Sequence, residues 1–182
     1  TLEAGLQPGE PKRLRIDGSP VENLWSTPLR PLVSVFLPDR LDLVKGAPAG
    51  RRAHLDQLVA ALWPARSETR QAYSRALAQR NALLGRIRAG GAGPATLDAW
   101  DAELARHGAE LIANRREAVD ALAPHFASRA ADLGLPLAAE VAYRPRSRAA
   151  DAAELAAELA ERRAGDVERG FTVHGPHRDD LR

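Results

Sequence analysis

Downstream of residue 48 apolar side chains recur at three- and four-residue intervals, whereas upstream of it they alternate or gather in short runs. Arg13 to Ile16 alternates polar and apolar residues ahead of Asp17-Gly18, the pattern of a hairpin strand closed by a tight turn. Leu32 to Phe36 is a short β-branched and apolar run ended by Pro38, because proline lacks the ladder donor and restrains the residue before it. A small sheet is expected in this part of the chain.

Leu55, Leu58, Val59 and Leu62 predict an amphipathic helix from Pro48 to Pro64. A second helix is expected from Ser67, with its hydroxyl as cap and Tyr73, Leu77, Leu84 and Ile87 on one side, as far as Gly90-Gly91-Ala92-Gly93-Pro94. A third runs from Thr96 toward Pro124. There Leu97, Leu104, Leu111 and Ala118 are spaced by seven, with Trp100, His107, Asn114 and Ala121 as a weaker second row. The turn between the last two helices is too short for a parallel return, so they form an antiparallel hairpin. Ala139 to Tyr143 reads as a strand, Asp151 as the cap of a helix carrying Leu155 and Leu159 that Gly165 ends, and Phe171 to Val173 as a brief extended piece.

The chain has 182 residues and a net charge of +2, enough length for one domain with an appended element. The absence of cysteine excludes disulfides and thiolate metal sites. No apolar run approaches the roughly 18 residues of a membrane span, and the expected location is the cytoplasm, with no membrane partner. No basic and apolar leader opens the chain, and its methionine-free sequence leads us to expect an internal segment of a longer protein. Lys12 and Lys45 are the only lysines; arginine carries the remaining positive charge. Its planar fork matches phosphate, although an arginine-favouring genome explains the same bias.

Two segments carry candidate chemistry. Between Asp39 and Arg52 a lysine beside a glycine and two adjacent arginines meet a helix start, where free amides and a positive dipole end attract anions. Lys45, Arg51 and Arg52 are therefore candidate DNA or anion contacts, as are Arg144, Arg146 and Arg148 in a spaced basic loop. An ordinary solvated helix start and loop are the competing readings. The second segment is Gly175-Pro176-His177-Arg178-Asp179-Asp180. His174, His177 and Asp179 are plausible ligand types for a metal hydrolase, but a closed site would need distant partners, and no catalytic or metal-binding residue is assigned. Gln79-Arg80-Asn81 and Trp100-Asp101 fall on helices, where polar residues set register or meet a partner.

Four blocks in one order, Pro38 to Asp56, Gln79 to Leu84, Trp100 to Ala105 and Gly175 to Leu181, resemble the RecF family of bacterial DNA repair and replication ATPases. The resemblance implies an ATP-dependent clamp-like dimer that binds DNA at gaps or single-strand/double-strand junctions. It also implies work with RecO and RecR in loading RecA during recombinational repair and the SOS response. ATP and Mg²⁺ would be its cofactors. Asp39 would approach the metal and terminal phosphate, or cap a turn, and His177, Arg178, Asp179 and Asp180 would lie near the dimer interface. Gly-x-x-x-x-Gly-Lys-Ser/Thr occurs nowhere in these residues, so they are not expected to hydrolyse ATP alone.

The expected fold is α+β and mostly helical: a coiled-coil-like antiparallel hairpin with a small β-sheet, from an ABC/SMC-like ATPase. The expected parts are residues 1–47, a β-rich portion of the ATPase lobe; 48–135, a helical arm; and 136–182, a return strand, helix and segment leading toward an ABC signature. The arm of another SMC-like ATPase, acting as a structural interaction module, is the alternative.

Overall fold

The structure, a computed structural model, describes residues 1–22, 41–135 and 138–182. The expected strand at Leu32 to Phe36 and the candidate Asp39 lie outside the described residues. The chain forms two compact units, Thr1–Phe36 and Leu37–Arg182. In the first, β1 (Leu2–Gly5), β2 (Arg13–Ile16) and β3 (Ser19–Val21) form an antiparallel sheet in sequence order. Leu14 and Ile16 are half-buried while Arg13 and Arg15 point to solvent, as the alternation predicts. Ile16 pairs with Ser19 across a two-residue turn whose Asp17 and Gly18 have φ of 47° and 82°. Those left-handed angles match the twist of the flanking strands, and Asp-Gly adopts them readily.

The second unit contains α1 (Asp42–Lys45), α2 (Pro48–Leu62), α3 (Ser67–Arg88), α4 (Asp98–Asp132), β4 (Tyr143–Arg144), α5 (Ala152–Glu161), α6 (Arg163–Arg169) and β5 (Asp180–Leu181). Helices α3 and α4 are the expected antiparallel pair. Arg66 just before α3 meets Glu117, Thr69 meets Glu110 and Arg80 meets Asp101, contacts that run in opposite order along the two helices. Gly90, at φ 77°, turns the chain between them. The seam at Leu97, Leu104, Leu111 and Ala118 is buried throughout.

Burial continues beyond the pair. Leu155 and Leu159 of α5 join Tyr73, Leu104 and Ile112 in one apolar cluster; Leu55 and Val59 of α2 join Ala118, Val119 and Leu181 in another. At Gly108 a Cβ would come within 2.8 Å of Leu155 Cδ2, so the glycine admits α5 close against α4. Residues 138–182 thus pack on the hairpin within a single unit.

Four boundaries differ from the sequence reading. Helix α4 passes through Pro124 to Asp132; proline removes one ladder bond without preventing continuation. Ser67 does not cap α3 and instead donates its hydroxyl hydrogen bond to the Pro64 carbonyl. The expected strand at Ala139 to Tyr143 shortens to β4, which pairs with β5, while Ala142 exchanges backbone hydrogen bonds with Arg182. Gly165 lies inside α6, which ends at Gly170 with φ 77°, the left-handed cap that glycine adopts without a Cβ penalty. Asp151 does cap α5, accepting from the Glu154 amide at 2.9 Å.

Candidate functional site

All four quoted blocks are joined by two buried guanidinium groups, Arg80 linking the second to the third and Arg115 linking the first to the last. Arg80 of α3 is 0 % exposed, at a position that the helical spacing of Tyr73, Ala76, Leu84 and Ile87 turns inward. Its Nε donates to Asp101 at 2.6 Å, and its Nη1 donates to Asp166 at 2.6 Å and to the Thr172 hydroxyl at 2.7 Å. The Thr172 hydroxyl and amide both donate to Asn81 Oδ1, at 2.7 and 2.8 Å. Asp166 takes the Val173 amide, and Asp101 takes Arg163 at 2.5 Å. Burying a charge costs several kcal/mol unless close partners compensate, so α3, α4, α6 and the following segment are tied to one arrangement.

Arg115 of α4 organises the second group. It donates to both oxygens of Asp56 at 2.7 and 3.0 Å and to the Pro176 carbonyl at 2.8 Å. Burial lowers its pKa, but the hydrogen bonds and charge of Asp56 outweigh that and leave it above the ordinary value. Asp179 Oδ2 lies 3.5 Å away and accepts from the Tyr143 hydroxyl, while Oδ1 accepts from the Arg146 amide at 2.6 Å. Burial raises the Asp179 pKa against the pull of these donors and cations, and burial likewise raises that of Tyr143.

His177 links the two groups. Its Nε2 lies 3.1 Å from the Thr172 carbonyl, which can only accept, so Nε2 carries the proton. Nδ1 then accepts from the Tyr73 hydroxyl at 2.7 Å. Burial pushes the His177 pKa down to about 4 and keeps the ring neutral. Gly175 has φ 127°, and a Cβ there would approach the Tyr73 hydroxyl to 2.8 Å. Only glycine fits that approach.

Around Asp180 the candidate cations gather. Arg51 grips both carboxylate oxygens at 2.8 and 3.2 Å and also donates to the Gly46 carbonyl at 2.8 Å, next to exposed Lys45. Arg144 is the register partner of Asp180, which places both on one face of the β4–β5 ribbon, and Arg182 lies 3.7 Å from its Oδ2. Arg52 turns the other way, donating to the Asp179 carbonyl at 2.8 Å. Arg146 and Arg148 are exposed, and among the described residues only their backbone amides are engaged, by Asp179 and Glu158.

Of the four residues singled out near Gly175, Asp179 faces inward at 1 % exposure and His177 is half-buried; Arg178 is exposed, 6.0 Å from the Phe171 ring. His174, His177 and Asp179 do not converge, since His174 meets Glu158 at 2.5 Å and the other two have the partners already given. Among the described residues no group of three or more His, Asp or Glu is placed to hold a metal ion. Sequence reasoning did not single out Asp56, Arg115, Asp166 or Thr172. The available signal was a charged residue at a core position, since Asp101 and Arg115 follow Leu97 and Leu111 by four residues and so share the buried side of the same helix.

No protein-family model matches the chain. Proteins called DNA replication and repair protein RecF are similar over 99 % of it, at 36 % identity in Beutenbergia cavernae and 39 % in both Frankia alni and Streptomyces avermitilis. The chain spans about half the length of these curated relatives, 53, 52 and 52 % respectively. Two solved structures of the recombination mediator protein RecF in the RecFOR pathway, one with ATPrS and one with ATP, superpose with TM-scores of 0.80 and 0.77. Each is 22 % identical, covering 99 % of this chain and 50 % of the other. In sequence and in fold the chain therefore corresponds to about half of a RecF family protein.

Proposed function

We propose that these residues are the helical and small-sheet portion of a RecF-like protein, and that in the intact molecule they couple an ATP-dependent homodimer to DNA at gaps. The observation that carries the reading is the surplus of cations around Asp180. Arg51, Arg144 and Arg182 border one carboxylate, with Lys45 close by in sequence to the carbonyl that Arg51 grips. Phosphate oxygens are the natural complement of such a cluster, and the buried arginines behind it hold its geometry. Exposed Arg146 and Arg148 extend the basic surface, with Arg52 at the neighbouring carbonyl. Work with RecR and RecO in loading RecA follows from the family. The sequence has no Gly-x-x-x-x-Gly-Lys-Ser/Thr segment, so the triphosphate cradle is assigned to the other half of the protein, with Asp39 approaching Mg²⁺.

Intact protein with ATP, titrated with gapped and with blunt duplex of equal length, tests the reading. We expect preference for the gapped duplex and a loss of about tenfold in affinity when Lys45 and Arg144 are both changed to Glu. Equal affinity for the two duplexes, unchanged in the double variant across a salt titration, would sink the proposal and favour a structural arm without DNA contact.

A further inference from the structure

We infer that Phe171 and the arginines around it form a stacking site for an unpaired nucleobase, through which the protein tells the single-stranded part of a gap from the duplex beside it. The inference rests on the DNA reading above and adds a residue that reads the gap. The cations around Asp180 meet phosphate oxygens, which duplex and single strand both carry, so they cannot distinguish the two. A base within a duplex is covered on both faces, whereas an unpaired base offers its face to an exposed aromatic ring.

Phe171 follows the left-handed cap of α6 and is 43 % exposed. A lone exposed apolar residue is ordinary, but this one has three guanidinium groups about it. The Arg178 guanidinium carbon stands 6.0 Å from the ring centroid. Arg88 lies across Gly170, where a Cβ would come within 2.8 Å of its Nη1, and that nitrogen donates to the Arg169 carbonyl at 3.1 Å. Arg169 donates its own Nη1 to the Gly165 carbonyl at 2.9 Å. Carbonyls near the end of a helix attract cations, which explains where these two are held. Each contact uses one nitrogen; the remainder of both forks, and all of the Arg178 fork, meets no carboxylate among the described residues.

The neighbouring acids do not neutralise the group. Asp166 is buried against Arg80 and the Val173 amide, and Asp179 against Tyr143, the Arg146 amide and Arg115. That leaves exposed Glu168 as the one acid set against three arginines. Arg52 joins this group to the cations around Asp180: burial and the charges of Arg115 and Arg178 hold its pKa down, while Asp179 and Asp180 act the other way. An acidic peptide would answer the charge and leave the ring without a partner. Every residue of a nucleic-acid strand brings a phosphate and a flat aromatic face together, the first for the arginines and the second for Phe171 and Arg178.

The test uses the intact protein with ATP and the anisotropy of three fluorescein-labelled ligands: a thymidine strand, an abasic strand with the same number of phosphates, and a blunt duplex. Wild type is expected to bind the thymidine strand more tightly than the abasic one. Phe171→Leu, which keeps apolar bulk without a ring, should weaken the thymidine strand by about tenfold and leave the other two ligands within about twofold. Phe171→Tyr should bind all three as wild type does, and both variants should melt at the wild-type temperature. Equal wild-type affinity for the two single strands, unaltered thymidine binding in Phe171→Leu, or an equal loss for all three ligands would overturn the proposal. Displacement of the thymidine strand by an acidic peptide of equal charge would overturn it too, and would mark the patch as a protein contact. The reading at Asp180 fails separately, if joint Lys45→Glu and Arg144→Glu substitution leaves duplex affinity unchanged.

Discussion

A guanidinium with no exposed surface persists at position 80 because Asp101, Asp166 and Thr172 all accept from it, while one nitrogen, Nη2, has no hydrogen-bond partner among the described residues. The arrangement is more demanding than stabilising. Arg80→Met keeps comparable bulk and leaves Asp166 buried without its cation, so guanidinium unfolding should show a loss of about 3–5 kcal/mol. A loss under about 1 kcal/mol would mean that the carboxylates find other partners. His177 makes stability depend on pH. Its folded pKa of about 4 lies below the usual 6.5, so between those values the unfolded chain binds more protons than the folded one. Stability attributable to this ring therefore falls as pH drops through the window, by up to about 3 kcal/mol at its lower end. Asp179, with a raised pKa, contributes the opposite slope, so the comparison must be made between wild type and His177→Gln. Unfolding measured from pH 7 to pH 5 should be flatter in the variant, and parallel curves would refute the assignment.

At the scale of elements, a heptad of apolar residues was enough to locate the α3–α4 pair, because burial of a periodic stripe is a local property of a helix. Charged residues inside the same stripe were harder to read. Asp101 and Arg115 occupy core positions of α4, and what makes them tolerable comes from α3 and α2. Helix α4 also shows the limit of a local rule, since Pro124 is carried within it rather than ending it. Pro124→Ala restores the missing ladder bond and removes the ring clash, so the amides from residue 125 to 132 should exchange more slowly in deuterium-exchange measurements. The expected gain is about 3 kcal/mol or less in an exposed stretch. Unchanged exchange would show that the turns beyond Pro124 are limited by something other than the proline.

At the scale of the whole molecule, residues 172–181 matter most to the larger unit. They are tied to α3 by Arg80, Asn81 and Tyr73, to α4 by Arg115 and to α2 by Arg51 and Arg52. Polar bonds with specific geometry do this, so the segment has one register on its helices and the cations around Asp180 keep fixed positions. If Lys45 and Arg144 of that cluster each contact one phosphate, their joint replacement by Ala should reduce the slope of log affinity against log salt by about 1.8. An unaltered slope would place both side chains away from the DNA backbone.

The order of chemical types along the chain determined the strands around Asp17-Gly18, the three principal helices, the reversal at Gly90 and the family resemblance carried by four blocks. Each depends on nearest neighbours, on short periodicity or on residue order, all of which a sequence displays directly. Which arginine meets which carboxylate was settled only in three dimensions. Arg80 joins Asp166 and Arg115 joins Asp56 across 86 and 59 residues, and Arg51 reaches Asp180 across 129. Opposite charges attract without regard to sequence position, so with 26 basic and 24 acidic side chains many pairings are open to the chain. Helix packing leaves only those whose desolvation is offset by direct hydrogen bonds.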